Sequence, residues 1–172
     1  MSRRVSLREF QEHLSRRLAG VAEGGSSATL LGIQSEKSSW LFDLSASGEI
    51  VSLPPLMSVP LTAPFFLGLA NIRGKLHAVS DFSAFLGEDM TTRRGVSGNR
   101  LLLVGTRFGS NAALLVSRIL GLRNPADFTV EAPTEGAEPW EVATYVDQEG
   151  KKWRRLDMAA LLSDSRFMNV VA

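Results

Sequence analysis

Catalysis needs reactive side chains at workable spacing, and this sequence offers few. It contains two histidines, His13 and His77, and no cysteine. Neither histidine has a second histidine or an acidic cluster at metal-ligand spacing. Without cysteine there is no disulfide and no thiolate site. A Gly-x-Ser-x-Gly elbow, a Walker-type loop and a dinucleotide glycine fingerprint are all absent. The carboxylates are scattered, so no acid–base pair stands out. A Ser-His-Asp triad assembles in space rather than in sequence, which leaves a small hydrolase using His77 as the one enzymatic reading. Against it, His77 reads as a half-exposed strand residue. No catalytic, metal or cofactor residue is assigned.

What stands out instead is a hairpin. Residues 64–81 read as two strands around a tight turn at Arg73 and Gly74. Gly reaches positive φ without steric cost, so Gly74 suits the turn. On the first arm Phe65, Leu67, Leu69 and Asn71 share one face, and Phe66, Gly68, Ala70 and Ile72 the other. The large-residue face is expected to anchor a core. The small-residue face admits another backbone or a partner. From the residues alone, Gly68 equally well relieves crowding inside the fold, and Arg73 is a soluble turn tip.

Composition narrows the classes. At 172 residues the chain makes one domain or two small subdomains sharing a core. A net charge of +1 argues against nucleic acid as the main partner. No apolar run approaches the length of a membrane span, and after Arg3 and Arg4 no apolar signal-peptide core follows. These features predict a cytoplasmic protein with no direct membrane insertion.

The elements that position the hairpin follow from periodicity. Leu7, Phe10, Leu14 and Leu18 make one helical face over residues 6–20, with Ser6 as N-cap and Glu9 completing a capping box. This basic helix fits packing on the body, docking to a partner or lying at a membrane surface. With the linker at 23–27 it forms an N-terminal segment, 1–27. From residue 28 the period becomes strand-like. Strands are expected at 29–34, 40–44 and 49–53, then the hairpin, then a short helical turn from Phe82 capped by Asp81. The polar stretch 88–99 marks a boundary or exposed loop. Further strands are expected at 100–105, 111–116, 120–123, 142–146 and 152–156, with a long loop at 124–139 and a helix at 158–162 capped by Asp157. Residues 163–172 read as a tail. Nine or ten short strands with closely spaced turns imply small barrels or a sandwich, divided near residue 90 into a first barrel at about 28–90 and a second at about 99–162. Trp40, Trp140 and Trp153 suit a core better than a base-stacking platform, so a nucleic-acid-binding small barrel is the alternative reading. Arg93–Arg94 and Arg154–Arg155 read as solvated charges.

The hairpin sequence from Gly68 to Gly74, the strand on to Asp81, and Glu49 with Ile50 resemble the CheW family of chemotaxis coupling proteins. Within it, the chain looks like the adaptors of type IV pilus (twitching-motility) systems. The likeness extends through 59–62, 85–87, 105–106, 115–118 and 121–122, and covers roughly 28–162. It implies a mostly β fold of two packed five-stranded Src-homology-3-like barrels, with an N-terminal helix and short helical turns. It implies scaffolding without catalysis or cofactor. The expected partners are the regulatory domain of a CheA-type histidine kinase and the cytoplasmic tip of a methyl-accepting chemoreceptor, at membrane receptor clusters. It favours contact roles for Gly68 and Arg73, and extends the expected protein-binding set to Glu49, Ile50, Asn71 and Gly74. One departure is clear: many members have Pro followed by Val-Asp-Leu late in the second arm, where this chain has Ala78, Val79, Ser80, Asp81 and Phe82.

Overall fold

A computed structural model describes residues 29–91 and 98–172. The predicted N-terminal helix and linker, and Arg93–Arg94 in the polar stretch, lie outside the described residues.

The apolar runs form strands, as their short length and β-branched or aromatic content predict. In chain order these are β1 (Leu30–Gln34), β2 (Ser39–Asp43), β3 (Ser47–Val51), β4 (Phe66–Ile72), β5 (Lys75–Asp81), β6 (Arg100–Val104), β7 (Ala112–Val116), β8 (Arg118–Arg123), β9 (Thr129–Glu131), β10 (Glu141–Val146) and β11 (Lys152–Leu156). Three short helices are α1 (Phe82–Phe85), α2 (Met158–Ser163) and α3 (Ser165–Met168).

The strands make two sheets. One has six strands in the order β8-β1-β2-β11-β10-β9, and the other five in the order β3-β6-β7-β5-β4. Each is antiparallel except for one parallel pair, β2 with β11 and β5 with β7. The sheets do not divide near residue 90, where the sequence suggested one barrel would end and the next begin. The six-stranded sheet takes β1 and β2 from before the polar stretch and β8–β11 from after it, while β6 and β7 join the other sheet. The parallel pairs and the β1–β8 ladder are long-range, and no local signal announces them. β9 lies inside the stretch expected to be loop. Its three exposed residues pair with β10 and extend that sheet by a sixth strand.

Burial explains which runs are fully apolar. Leu31, Ile33, Trp40 and Phe42 from one sheet meet Leu102, Val104, Leu114 and Val116 from the other in a layer between them. On the opposite face of β6 and β7, Leu101, Leu103, Ala113 and Leu115 close on Ala70 and Val79 inside the five-stranded sheet. Leu30, Leu41 and Trp153 form the matching interior of the six-stranded sheet. Strands covered on both faces lose their alternation, which is why 101–104 and 112–116 read as unbroken apolar runs.

Polar seams tie the edges of this core. Asp81 caps α1 by accepting from the Ala84 N–H at 3.2 Å. Its other oxygen takes the Thr91 N–H at 2.8 Å, and the Thr91 hydroxyl donates to Asp81 at 3.1 Å. Burial pushes the Asp81 carboxyl up, while the bonds from Ala84 and Thr91 pull it down. The turn after β1 joins through Glu88, which accepts from the Ser35 hydroxyl at 3.1 Å and the Lys37 N–H at 3.0 Å.

The last ten residues, read as a tail, are ordered onto the body. Asp164 caps α3 through the Arg166 N–H and also accepts from the Trp140 indole N–H at 3.0 Å. Beyond α3, Val171 bridges antiparallel to Thr62. The Arg166 side chain, its backbone N–H and the Trp140 indole hold the Asp164 carboxyl down to about 2, against a usual value of 3.8. A folded value below the unfolded one gives stability that is complete above the unfolded value and lost as pH falls through the folded one. Asp164→Asn is therefore expected to cost about 1 kcal/mol at neutral pH, with the gap from wild type closing toward acid pH. Denaturant unfolding of both proteins across that range checks it. A constant gap would separate Asp164 from the acid sensitivity.

Candidate functional site

The predicted turn forms, with a two-residue loop in which both Arg73 (φ 52°) and Gly74 (φ 82°) lie at positive φ. This is the mirror-image turn that matches strand twist. Arg73 carries a Cβ there, at a cost of roughly 1 kcal/mol. Asn71 supports the turn by accepting the Gly74 N–H on its Oδ1 at 2.9 Å. A Cβ added at Gly74 would meet no atom within 4 Å, so backbone conformation alone selects glycine there.

Arg73 reaches across to β3. Its Nη2 donates to Glu49 Oε1 at 2.6 Å, with side chains 77% and 38% exposed. β3 and β4 are the two edge strands of the five-stranded sheet, so the pair links one edge of the sheet to the turn at the other. An exposed pair of this kind is worth about 0–1 kcal/mol. Its effect is to bias where the guanidinium points. Ile50, next to Glu49, is partly exposed.

Gly68 is not available to a partner. It is buried at φ 129°, and a Cβ built on it would lie 2.2 Å from the Met57 carbonyl oxygen. Met57 and Leu69 exchange backbone hydrogen bonds at 2.8 and 2.9 Å, which places the chain's own 57–58 backbone over the glycine. The small-residue face is thus turned inward, against the sequence expectation, while Phe65 and Leu67 of the large-residue face still pack against the two cores. Phe66, Gly68 and Ala70 point inward, while Asn71 is exposed and Leu69 partly so. Register sets Met57 opposite Leu69 and Leu76 opposite Asn71, and both Met57 and Leu76 are about half exposed. Neither was singled out from sequence. Met57 lies outside any regular strand, and the exposed start of β5 breaks no pattern.

The structure brings Glu49 and Arg73 together, keeps Asn71 and Gly74 as turn builders, and leaves Ile50 beside the pair. His77 is buried rather than half-exposed, with Nδ1 3.2 Å from the Lys75 carbonyl oxygen. The three tryptophans are core residues, and each indole N–H is spent, on Ser35, Asp164 and Asp147. Among the described residues no group of three or more His, Asp or Glu side chains is placed to hold a metal. The arrangement offers a pinned cation with apolar neighbours, which is the chemistry of a protein contact.

A family model for the CheW-like domain matches residues 29–166. The chain belongs to this family. A curated relative is Protein PilI of Pseudomonas aeruginosa, 27% identical over 128 residues, which are 72% of this chain and 68% of that protein. Among solved structures, the scaffolding protein TtCheW from Thermoanaerobacter tengcongensis superposes with a TM-score of 0.64 at 18% identity, covering 81% of this chain and 94% of that one. The superposition shows the CheW-like fold, mostly β and built of two sheets.

The two glycine-and-charge roles separate experimentally. Gly68→Ala is expected to destabilise by about 3 kcal/mol or more, because the new Cβ meets backbone and the φ disfavours any side chain. Arg73→Ala is expected to shift stability by no more than about 1 kcal/mol. Urea unfolding of both variants measures this. A mild Gly68→Ala would mean that the Met57 segment moves away at little cost.

Proposed function

We propose that this CheW-like protein is a non-catalytic adaptor in a pilus-type signalling system. It couples the cytoplasmic tip of a methyl-accepting chemoreceptor to the regulatory domain of a CheA-type histidine kinase, and through them controls twitching motility. The protein works in the cytoplasm, recruited to receptor clusters. The family match over 29–166 together with the likeness to PilI carries this reading. The docking surface it uses is the outer face of the β4–β5 hairpin with β3. There Arg73 is braced by Glu49, Ile50 follows Glu49 on β3, and exposed Leu76 and Met57 pair opposite Asn71 and Leu69 of β4.

The physical terms suit a transient contact. A modest surface with one pre-positioned arginine and a few apolar anchors binds reversibly, and its hot spots are few. Bracing Arg73 before contact reduces the side-chain entropy lost on binding. Gly68 takes no direct part, since the chain's own backbone covers it.

Pull-down with the cognate kinase regulatory domain and with a receptor tip fragment tests the proposal. Wild type is expected to retain both. Arg73→Glu and Leu76→Glu, each folded by circular dichroism, are expected to weaken one or both by about tenfold or more. Wild type retaining neither partner would refute the adaptor role. Undiminished binding of both by both variants would move the contact to another face.

A further inference from the structure

The six-stranded sheet is open at one end of its interior. Its edge strands, β8 and β9, are joined by residues 124–128, and a cleft of about 440 Å³ lies there. Phe128 and Trp153 form its apolar part, 6.1 Å apart between ring centroids. Arg123 and Lys151 lie over the Trp153 ring at 5.2 and 4.3 Å from its centroid. On β9, Val130 pairs opposite Tyr145, so its side chain shares the face of Tyr145 and Trp153, yet it is 58% exposed.

The charge around this mouth is one-sided. Residues 124–150 hold seven acidic residues and no lysine or arginine. Glu131, Glu138 and Glu141 have cations from other segments near them, and Asp147 is spent on its own turn and the Trp153 indole. Asp127, Glu135 and Glu149 are exposed, and their carboxylates have no partner among the described residues. Asp127 and Glu149 line the cleft itself.

The chain enters the body at the same place. Leu30, the first residue of β1, pairs with Arg123 and packs with Trp153 in the sheet's interior. The 28 residues that precede Thr29 are therefore tethered at the cleft, and they carry five arginines against three glutamates, the opposite balance. The sequence predicts a helix over 6–20 with Leu7, Phe10, Leu14 and Leu18 on one face. Arg17 falls at the border of that face, three residues after Leu14. Residues 19–28 join Leu18 to Thr29 and span at most about 35 Å, which keeps this helix within reach of the mouth.

We propose that the N-terminal segment is the occupant of this surface. The apolar face of residues 6–20 covers Phe128 and Val130, and its arginines meet Asp127, Glu149 and the exposed acidic run at 131–135. Each side supplies what the other lacks: an amphipathic helix needs an apolar surface, and this mouth needs cover and countercharge. The tether decides between this occupant and a free one. Exposed ion pairs and a small apolar area hold a separate partner poorly, whereas a short link raises the effective concentration to about the millimolar range, where weak contacts suffice.

The chain has no cysteine, so a single Ser15→Cys in the full protein accepts one nitroxide label off the apolar face. Paramagnetic broadening of ¹⁵N-labelled amides reads where the segment lies. Broadening is expected at 127–131 and 147–151, at least about threefold stronger than at the Arg73–Gly74 turn, because a tethered site is occupied far more than the rest of the surface. Asp127→Lys combined with Glu149→Lys, both at exposed positions, is expected to weaken it, as is Leu14→Asp. About 1 M NaCl, where the Debye length is about 3 Å, is expected to weaken it as well. Broadening spread evenly, centred on another face, or unchanged in both variants overturns the proposal. So does broadening that persists when the nitroxide and the ¹⁵N label are on different molecules, which assigns the surface to a second copy. None of these readouts involves a kinase or receptor, so they stand apart from the adaptor role.

Discussion

Everything in this fold depends on a layer of side chains that neither sheet can bury alone. Trp40, Phe42 and Ile33 on one sheet and Leu102, Leu114 and Val116 on the other exclude water only against each other. Burying a side chain of this size is worth about 1.5–3 kcal/mol, so the layer outweighs any polar seam in the molecule. Because β6 and β7 also wall the interior of their own sheet, a single strand serves two cores at once. A truncation at Leu102 or Leu114 would open a cavity between the sheets.

Interleaving makes that coupling topological as well as energetic. The chain leaves the six-stranded sheet after β2, builds the whole five-stranded sheet, and returns at β8. It crosses back within a single residue, Ser117, whose N–H donates to the Gln34 carbonyl. The sheets therefore cannot separate as sequential domains would. The first strands wait for the last ones to complete their ladders, so the native pairing has many contacts at long sequence separation, a feature that slows folding.

How much of this was legible in the sequence depends on how local the cause is. The caps at Asp81 and Asp157 were readable because a cap is decided within three residues. The turn at Arg73 and Gly74 was readable because glycine supplies the φ it needs. The faces of β4 were not. The reading gave the large residues to the core, whereas close packing of the Met57 backbone on Gly68 turned the small ones inward. That contact joins residues eleven apart through an irregular segment, and alternation carries no information about it. The division near residue 90 failed for a related reason. A polar run signals exposure, and exposure does not say which sheet the flanking strands join. The family resemblance reached further than periodicity because motif residues carry long-range context that a local pattern lacks.

The Arg73 turn shows how small opposing terms can fix a geometry without changing stability. Positive φ at Arg73 costs roughly what an exposed ion pair returns, so the pair with Glu49 leaves the folding free energy nearly unchanged. What it fixes is a direction. The backbone holds the side chain at the tip of a stiff hairpin, and the carboxylate on the opposite edge of the sheet selects among its rotamers. In the proposed docking role, an arginine free to roam would lose that freedom at the moment of contact, and one already braced would lose less. The pair uses one guanidinium nitrogen on Glu49, and the Arg73 side chain remains 77% exposed.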